Sequence, residues 1–111
     1  MDIVEQRQGA VTVIKPLGPL VQGDADQFGR TVRDVMQRSL GRFVIDASAV
    51  AFVDSRGLEV LLETTEELGQ GGGTLRFCGA NETLREVLDL TDIGTMFEHF
   101  EDINSAVRSF L

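Results

Sequence analysis

The chain has 111 residues, a formal charge of −8, nine arginines with a single lysine, and one cysteine. That charge repels nucleic acid and anionic lipid, and the arginines are scattered rather than gathered into a stripe, so neither is expected as a direct partner. No apolar run approaches the ~18–20 residues of a membrane span, no basic-then-apolar leader opens the chain, and one cysteine closes no intrachain disulfide; the expectation is one cytoplasmic domain, residues 1–111, most simply a monomer.

In chain order, residues 2–7 and 10–15 carry β-branched residues on either side of Gly9, which predicts two strands and a tight turn. Pro16 and the LGPL that follows read as irregular chain, with Leu20 and Val21 as a short edge strand. Asp24 reads as the cap of a first helix, with Gln27 three residues on and Asp26 in the first turn. Ala25, Phe28, Val32, Val35, Met36 and Leu40 keep helical spacing, and Gly41 stops it. Phe43-Val44-Ile45 is apolar at successive positions, as in a strand covered on both faces. A second helix runs from about Arg56 to Leu68 with a stripe of Leu58, Leu61, Leu62, Thr65 and Leu68, closed by Gly69. Thr74 to Cys78 is the next strand, with Cys78 a small buried residue. Asn81 caps a third helix bearing Leu84, Val87 and Leu88. A short Met96-Phe97 segment follows, and Ile103, Ala106, Val107 and Phe110 line a last helix. Alternating strands and helices give an α/β sandwich, a mixed sheet with about four helices against it.

The stretch FVIDASAVAFVDSRGLEVLLE, Phe43 to Glu63, concentrates the chemistry. Asp46 falls at the carboxyl end of a central strand, where open α/β sheets place ligands and partners. Phe52 and Val53 return the chain to the core. Asp54 and Ser55 open the second helix, and Gly57 permits close backbone approach. Ser55 reads as the N-cap, a role worth about 1 kcal/mol. Two features give it a second role. A helix amino end favours anions, so a phosphoryl group of ~1.5–2 negative charges would leave the fold intact. At about 100° per residue, Arg56, Val60, Glu63 and Glu67 project together, opposite the leucine stripe. Val60 is therefore expected to be partly exposed, an anchor for a docked protein.

The segment DASAVAFVDSRGLEVLLE resembles the STAS domain of anti-sigma factor antagonists, whose signature is an Asp-Ser pair followed by a Gly-Leu helix start. The likeness extends over the paired strands, the LGPL turn, GGTLRFCG and LREVLDLTDIGTMFEHFED. It implies partner switching. The unphosphorylated antagonist binds an anti-sigma factor that is also a serine kinase with a histidine-kinase-like ATP site. Phosphorylation ends the complex, and a PP2C-type phosphatase resets it. Ser55 matches the phosphorylated serine, Asp54 the aspartate before it, Gly57 and Leu58 the helix start, and Asp46 the acidic or amide residue ending the preceding strand. With Arg56, Val60 and Glu63, these residues form the expected partner surface. Two positions depart from the family pattern. Arg56 stands where a second Ser or Thr is frequent. Gly18-Pro19-Leu20-Val21 replaces Gly-x-Leu-Asp, the acidic role passing to Asp24 or Asp26 or being absent.

Other signals are weaker. Gly69-Gln70-Gly71-Gly72-Gly73 lacks the Lys and hydroxyl of a P-loop and reads as a surface turn. His99 has no second His and no Cys cluster beside it, so neither a metal site nor a Ser-His pair is expected, and no cofactor is implied. Asp89, Asp92, Glu98, Glu101 and Asp102 read as a solvated face. The leading expectation is a non-enzymatic binding module. Next comes a scaffold or accessory subunit of a signalling assembly or lipid-transport ABC complex. A nucleotide enzyme comes last.

Overall fold

The computed structural model describes residues 1–90 and 97–111. Five strands in the order β1-β2-β3-β4-β5 form one mixed sheet. Strands β1 (Asp2–Gln8) and β2 (Val11–Leu17) pair antiparallel across a turn whose Gly9 has φ 64. Strands β3 (Phe43–Asp46), β4 (Leu75–Cys78) and β5 (Phe97–Phe100) add in parallel. Pro16 lies within β2 rather than after it. It pairs with Ile3, while β3 reaches only as far as Ile14, so its missing N–H interrupts no β2–β3 pair.

Helices α1 (Gln22–Arg38), α2 (Ser55–Gln70) and α3 (Glu82–Leu90) supply one core with the sheet, in which Phe28, Val32, Val60, Leu61 and Leu84 meet Ile14, Phe43, Ile45 and Phe77. The short α4 (Ile103–Arg108) covers the other face, where Ala106, Ile103 and Val107 pack with Val11, Val44 and Cys78. Phe43 and Ile45 face one core and Val44 the other. This two-sided burial is what the unbroken apolar run of β3 requires.

Several boundaries differ from expectation. Leu20 makes only an isolated parallel bridge to Val53, not an edge strand of the sheet. The first helix starts ahead of Asp24, its N-cap position is Val21, and no side chain of that residue caps it. Asp24 instead lies in the first turn and pairs with the Met1 amino group at 3.2 Å. The helix closes at Arg38, and Leu40, with φ 55, is an exposed turn residue rather than part of the apolar face. Asn81 does cap α3, its Oδ1 accepting from the Leu84 amide at 2.7 Å. Phe97 opens the fifth strand, and the reading for Met96 and Asp92 falls outside the described residues. Asp102 is not merely solvated: its carboxylate caps α4 through the Ser105 amide at 2.8 Å, which holds its pKa below the usual value. Among the described residues no helix is long and apolar enough to cross a membrane.

Candidate functional site

The approach to α2 is a loop braced at nearly every step. Ala47 donates to the Cys78 carbonyl at 2.9 Å and Val50 to Ala47 at 3.0 Å. The Asn81 amide donates to the Ala51 carbonyl at 3.1 Å. Leu20 then donates to Phe52, and Asp54 to Leu20, each at 3.2 Å, which lays the start of α1 beside the start of α2. Gly57 makes this approach possible: a Cβ there would run into the Leu20 carbonyl oxygen and lie 3.1 Å from Val53 Cβ. The glycine of the DSRGL run is thus a contact requirement between two chain segments.

Asp54, not Ser55, caps α2. Its Oδ1 accepts from the Gly57 amide at 2.8 Å, and its Oδ2 accepts from the Gln22 amide at 3.0 Å. One carboxylate therefore serves two helix starts, and the cap missing at Val21 is supplied from across the fold. Ser55 is left as the first helical residue, exposed, and among the described residues nothing engages its hydroxyl. Nearby helix-start N–H groups and the dipole favour an anion at that position.

Arg56 turns along the helix pair. It bonds Asp26 of α1 (Nη2 to Oδ1 2.6 Å), Glu59 (2.9 Å) and Glu63 (3.4 Å), and these carboxylates, Asp26 foremost, raise its pKa. Arg33 of α1 extends the ladder to Glu63 at 3.2 Å and Glu67 at 2.8 Å. Asp26 thus serves as the partner of Arg56 and not as a helix cap.

The expected site residues separate accordingly. Ser55 is exposed, and Asp54, Arg56 and Glu63 are half-buried. Asp46 is buried, its Oδ1 accepting from the Ser48 amide at 3.0 Å, where it braces the loop. Val60 is only 2 % exposed, so the expected exposed anchor is a core residue. The face opposite the leucine stripe is covered by α1, whose Gly29 lies so close that a Cβ there would be 2.9 Å from Val60 Cγ1. Helical spacing identified this face correctly but said nothing of the helix lying on it. The apolar side chain presented near Ser55 is instead Phe52, 52 % exposed, which was expected to return to the core. The brace that keeps it outside, Phe52 carbonyl to Leu20 amide, joins segments far apart in sequence.

A mixed α/β domain holding an unengaged serine at the mouth of a doubly capped helix pair is the class of protein defined by this arrangement. The chain belongs to the STAS domain family, whose model matches residues 2–106. A comparison with curated proteins finds no match. Among solved structures, a candidate anti-sigma factor antagonist from Thermotoga maritima aligns with TM-score 0.87 and 21% identity, over 96% of this chain and 92% of that one. The anti-sigma factor antagonist SpoIIAA aligns in its unphosphorylated form with TM-score 0.74 and 14% identity, over 98% and 96% of the two chains. In its phosphorylated form, a Bacillus cell fate determinant, it gives 0.71 and 17%, over 97% and 99%. The murine anion transporter Solute Carrier 26 family member A9 aligns with TM-score 0.77 and 18% identity over 94% of this chain, which spans only 18% of the transporter. At these identities the likeness is one of fold.

Proposed function

We propose that residues 1–111 act as one cytoplasmic STAS domain of the anti-sigma factor antagonist kind, regulating transcription by phosphorylation-dependent association rather than by catalysis. The observation that carries this reading is the exposed, unengaged Ser55 hydroxyl directly after the capping Asp54. In its unphosphorylated form the protein binds an anti-sigma factor that is a serine kinase with a histidine-kinase-like ATP site. Phosphorylation of Ser55 releases that partner, and a PP2C-type phosphatase restores the hydroxyl. The partner surface comprises Ser55, Asp54, Arg56 and Glu63, with Asp46 and Gly57 shaping it from beneath.

Charge supplies the switch. A phosphate on Ser55 sits beside Asp54 and Glu59, and the guanidinium of Arg56 is already shared among Asp26, Glu59 and Glu63. An interface closing over that dianion must desolvate it, at a cost of several kcal/mol when it stays unpaired, while ~1.4 kcal/mol is a tenfold loss of affinity. Ser55→Asp should weaken binding to the kinase-like partner by tenfold or more in calorimetry, and Ser55→Ala should bind as the unmodified protein does even after incubation with kinase and ATP. Equal affinity of both variants and the parent under those conditions rejects the switch. Intact mass and fragmentation of the protein from its own cells tests whether Ser55 carries the phosphate.

A second reading, an accessory or scaffold subunit of a signalling assembly or lipid-transport ABC complex, is supported by the fold match to one part of a transporter chain. Co-purification with a permease and ATPase, or in a large assembly, would favour it.

A further inference from the structure

The sheet ends at β1, and among the described residues no strand pairs with its outer side. Its residues keep an unbroken register with β2, without proline or bulge, and most of them are exposed. Such an edge is a template for another strand unless its side chains prevent it. Which backbone groups it offers follows from the next pairing. The Thr12 amide donates to the Arg42 carbonyl at 3.1 Å, just ahead of β3, so Thr12 points away from β1. By alternation Val11, Val13 and Lys15 point toward β1, where they pair with Gln8, Gln6 and Val4. Ile3, Glu5 and Arg7 therefore turn their N–H and C=O groups outward. Only a strand that sets outward residues against outward residues fits, and charge chooses among the registers open to a second copy. A two-fold axis at Glu5 or at Arg7 opposes like charges, which destabilises a sheet. An axis at Ile3 or Val4 creates no opposite-charge pair. An axis at Gln6 sets each Glu5 directly against the second copy's Arg7, on one face of the sheet, and does so twice. Glu5 is already oriented for this: Arg38 reaches both of its oxygens at 3.2 Å, and a carboxylate has room for a second donor. Arg7 is exposed and has no ion-pair partner among the described residues.

We infer that β1 is a self-complementary docking edge: two copies of the chain join antiparallel about Gln6, the sheet runs on through both, and the paired Glu5–Arg7 contacts fix the register. Each copy's charge of −8 opposes the approach, so the pair forms at high concentration and at moderate salt, which screens distant charges more than contacting ones. The edge shares no residue with α2 or the loop before it, so the inference stands apart from the role of Ser55.

Sedimentation equilibrium of the full chain from micromolar to millimolar loading, in about 0.15 M salt, tests it together with amide hydrogen exchange. The expected result is a monomer–dimer equilibrium with nothing larger. Protection of the Glu5 and Arg7 amides should rise with concentration, while the Val4 and Gln6 amides, already bonded to β2, hold constant. Arg7→Glu turns both attractive pairs repulsive and should weaken the dimer by about tenfold or more. Adding Glu5→Arg to that variant exchanges the two charges and should restore it, since Arg38 keeps Asp34 at 2.9 Å. A monomer at every concentration would overturn the inference, as would a dimer indifferent to Arg7→Glu. Species beyond the dimer would also overturn it, because they indicate an open head-to-tail contact. If a variant does not fold, exchange on the unmodified protein decides alone: Glu5 and Arg7 amides left unprotected at millimolar concentration reject the edge pairing.

Discussion

Both oxygens of Asp54 are occupied, by the Gly57 amide at 2.8 Å and by the Gln22 amide at 3.0 Å. Neither amide has an acceptor within its own helix, because the first turn of any helix lacks one. Gln22 also adopts φ 47, a left-handed conformation that costs a non-glycine residue on the order of 1 kcal/mol, and the second bond helps to hold it. Asp54→Ala should therefore cost about 2 kcal/mol in urea denaturation, more than a single cap. Asp54→Asn keeps one carbonyl oxygen and should cost about half as much. Ser55→Ala should change stability by less than about 0.5 kcal/mol, because its hydroxyl caps nothing. Hydrogen exchange gives the sharper check: the Gln22 amide should lose protection in Asp54→Ala, and unchanged exchange there would remove the double-cap interpretation. The sequence placed this aspartate next to the serine, but a bond to a residue 32 positions away has no local signature.

Two glycines of α2 separate intrinsic helix preference from tertiary contact. Gly57 lies against the Leu20 carbonyl, whereas a Cβ at Gly69 would meet nothing within 4 Å. Ala is preferred over Gly in a helix by ~0.8–1 kcal/mol. Gly69→Ala should stabilise the protein by up to about that amount, less near the frayed end. Gly57→Ala should destabilise it by roughly 1–3 kcal/mol, because the backbones of α1 and α2 must part to admit a methyl group. Thermal melts of the two variants should move in opposite directions, and a neutral Gly57→Ala would mean that the α1 start does not press on α2. The same packing explains which parts of α2 could be read beforehand. Its leucine stripe, and with it the core-facing side, follows from local spacing, but its end does not: the helix runs through Gly69, expected as its stop, to Gln70, with Gly71 at the C-cap. Nor was the burial of Val60 legible, because a helical wheel assigns directions without saying that α1 lies in one of them.

The two faces of the sheet differ in how visible they were. The apolar run of β3 announced cover on both sides, and Ile103, Ala106 and Val107 showed at helical spacing that a last helix was available for it. The edge strand β5, Phe-Glu-His-Phe, gave no comparable signal: only four residues long and half in solvent, it mixes aromatic and charged positions as edges tolerate. Cys78 reports on how firmly the second face is closed. It is 1 % exposed beneath α4, among Val11, Val44 and Ala106, in a strand paired with both β3 and β5. Burial first, then the charges of Asp46 and Asp102, push its thiol pKa up to about 12 from 9.0. The folded state thus holds this proton more tightly than the unfolded chain. Below pH 9 the difference has no effect, and stability should fall as pH rises from about 9 toward 12. Near pH 8 the thiolate, which is the attacking species, is suppressed by the shifted pKa and screened by α4. Iodoacetamide should therefore alkylate the native protein orders of magnitude more slowly than the urea-unfolded chain, at a rate set by opening of the structure. Destabilising variants such as Asp54→Ala, which lie on the opposite face from Cys78, should accelerate alkylation in proportion to their loss of stability if access requires global unfolding. Were the rate indifferent to those variants, α4 would have to lift from the sheet on its own, leaving the main core in place.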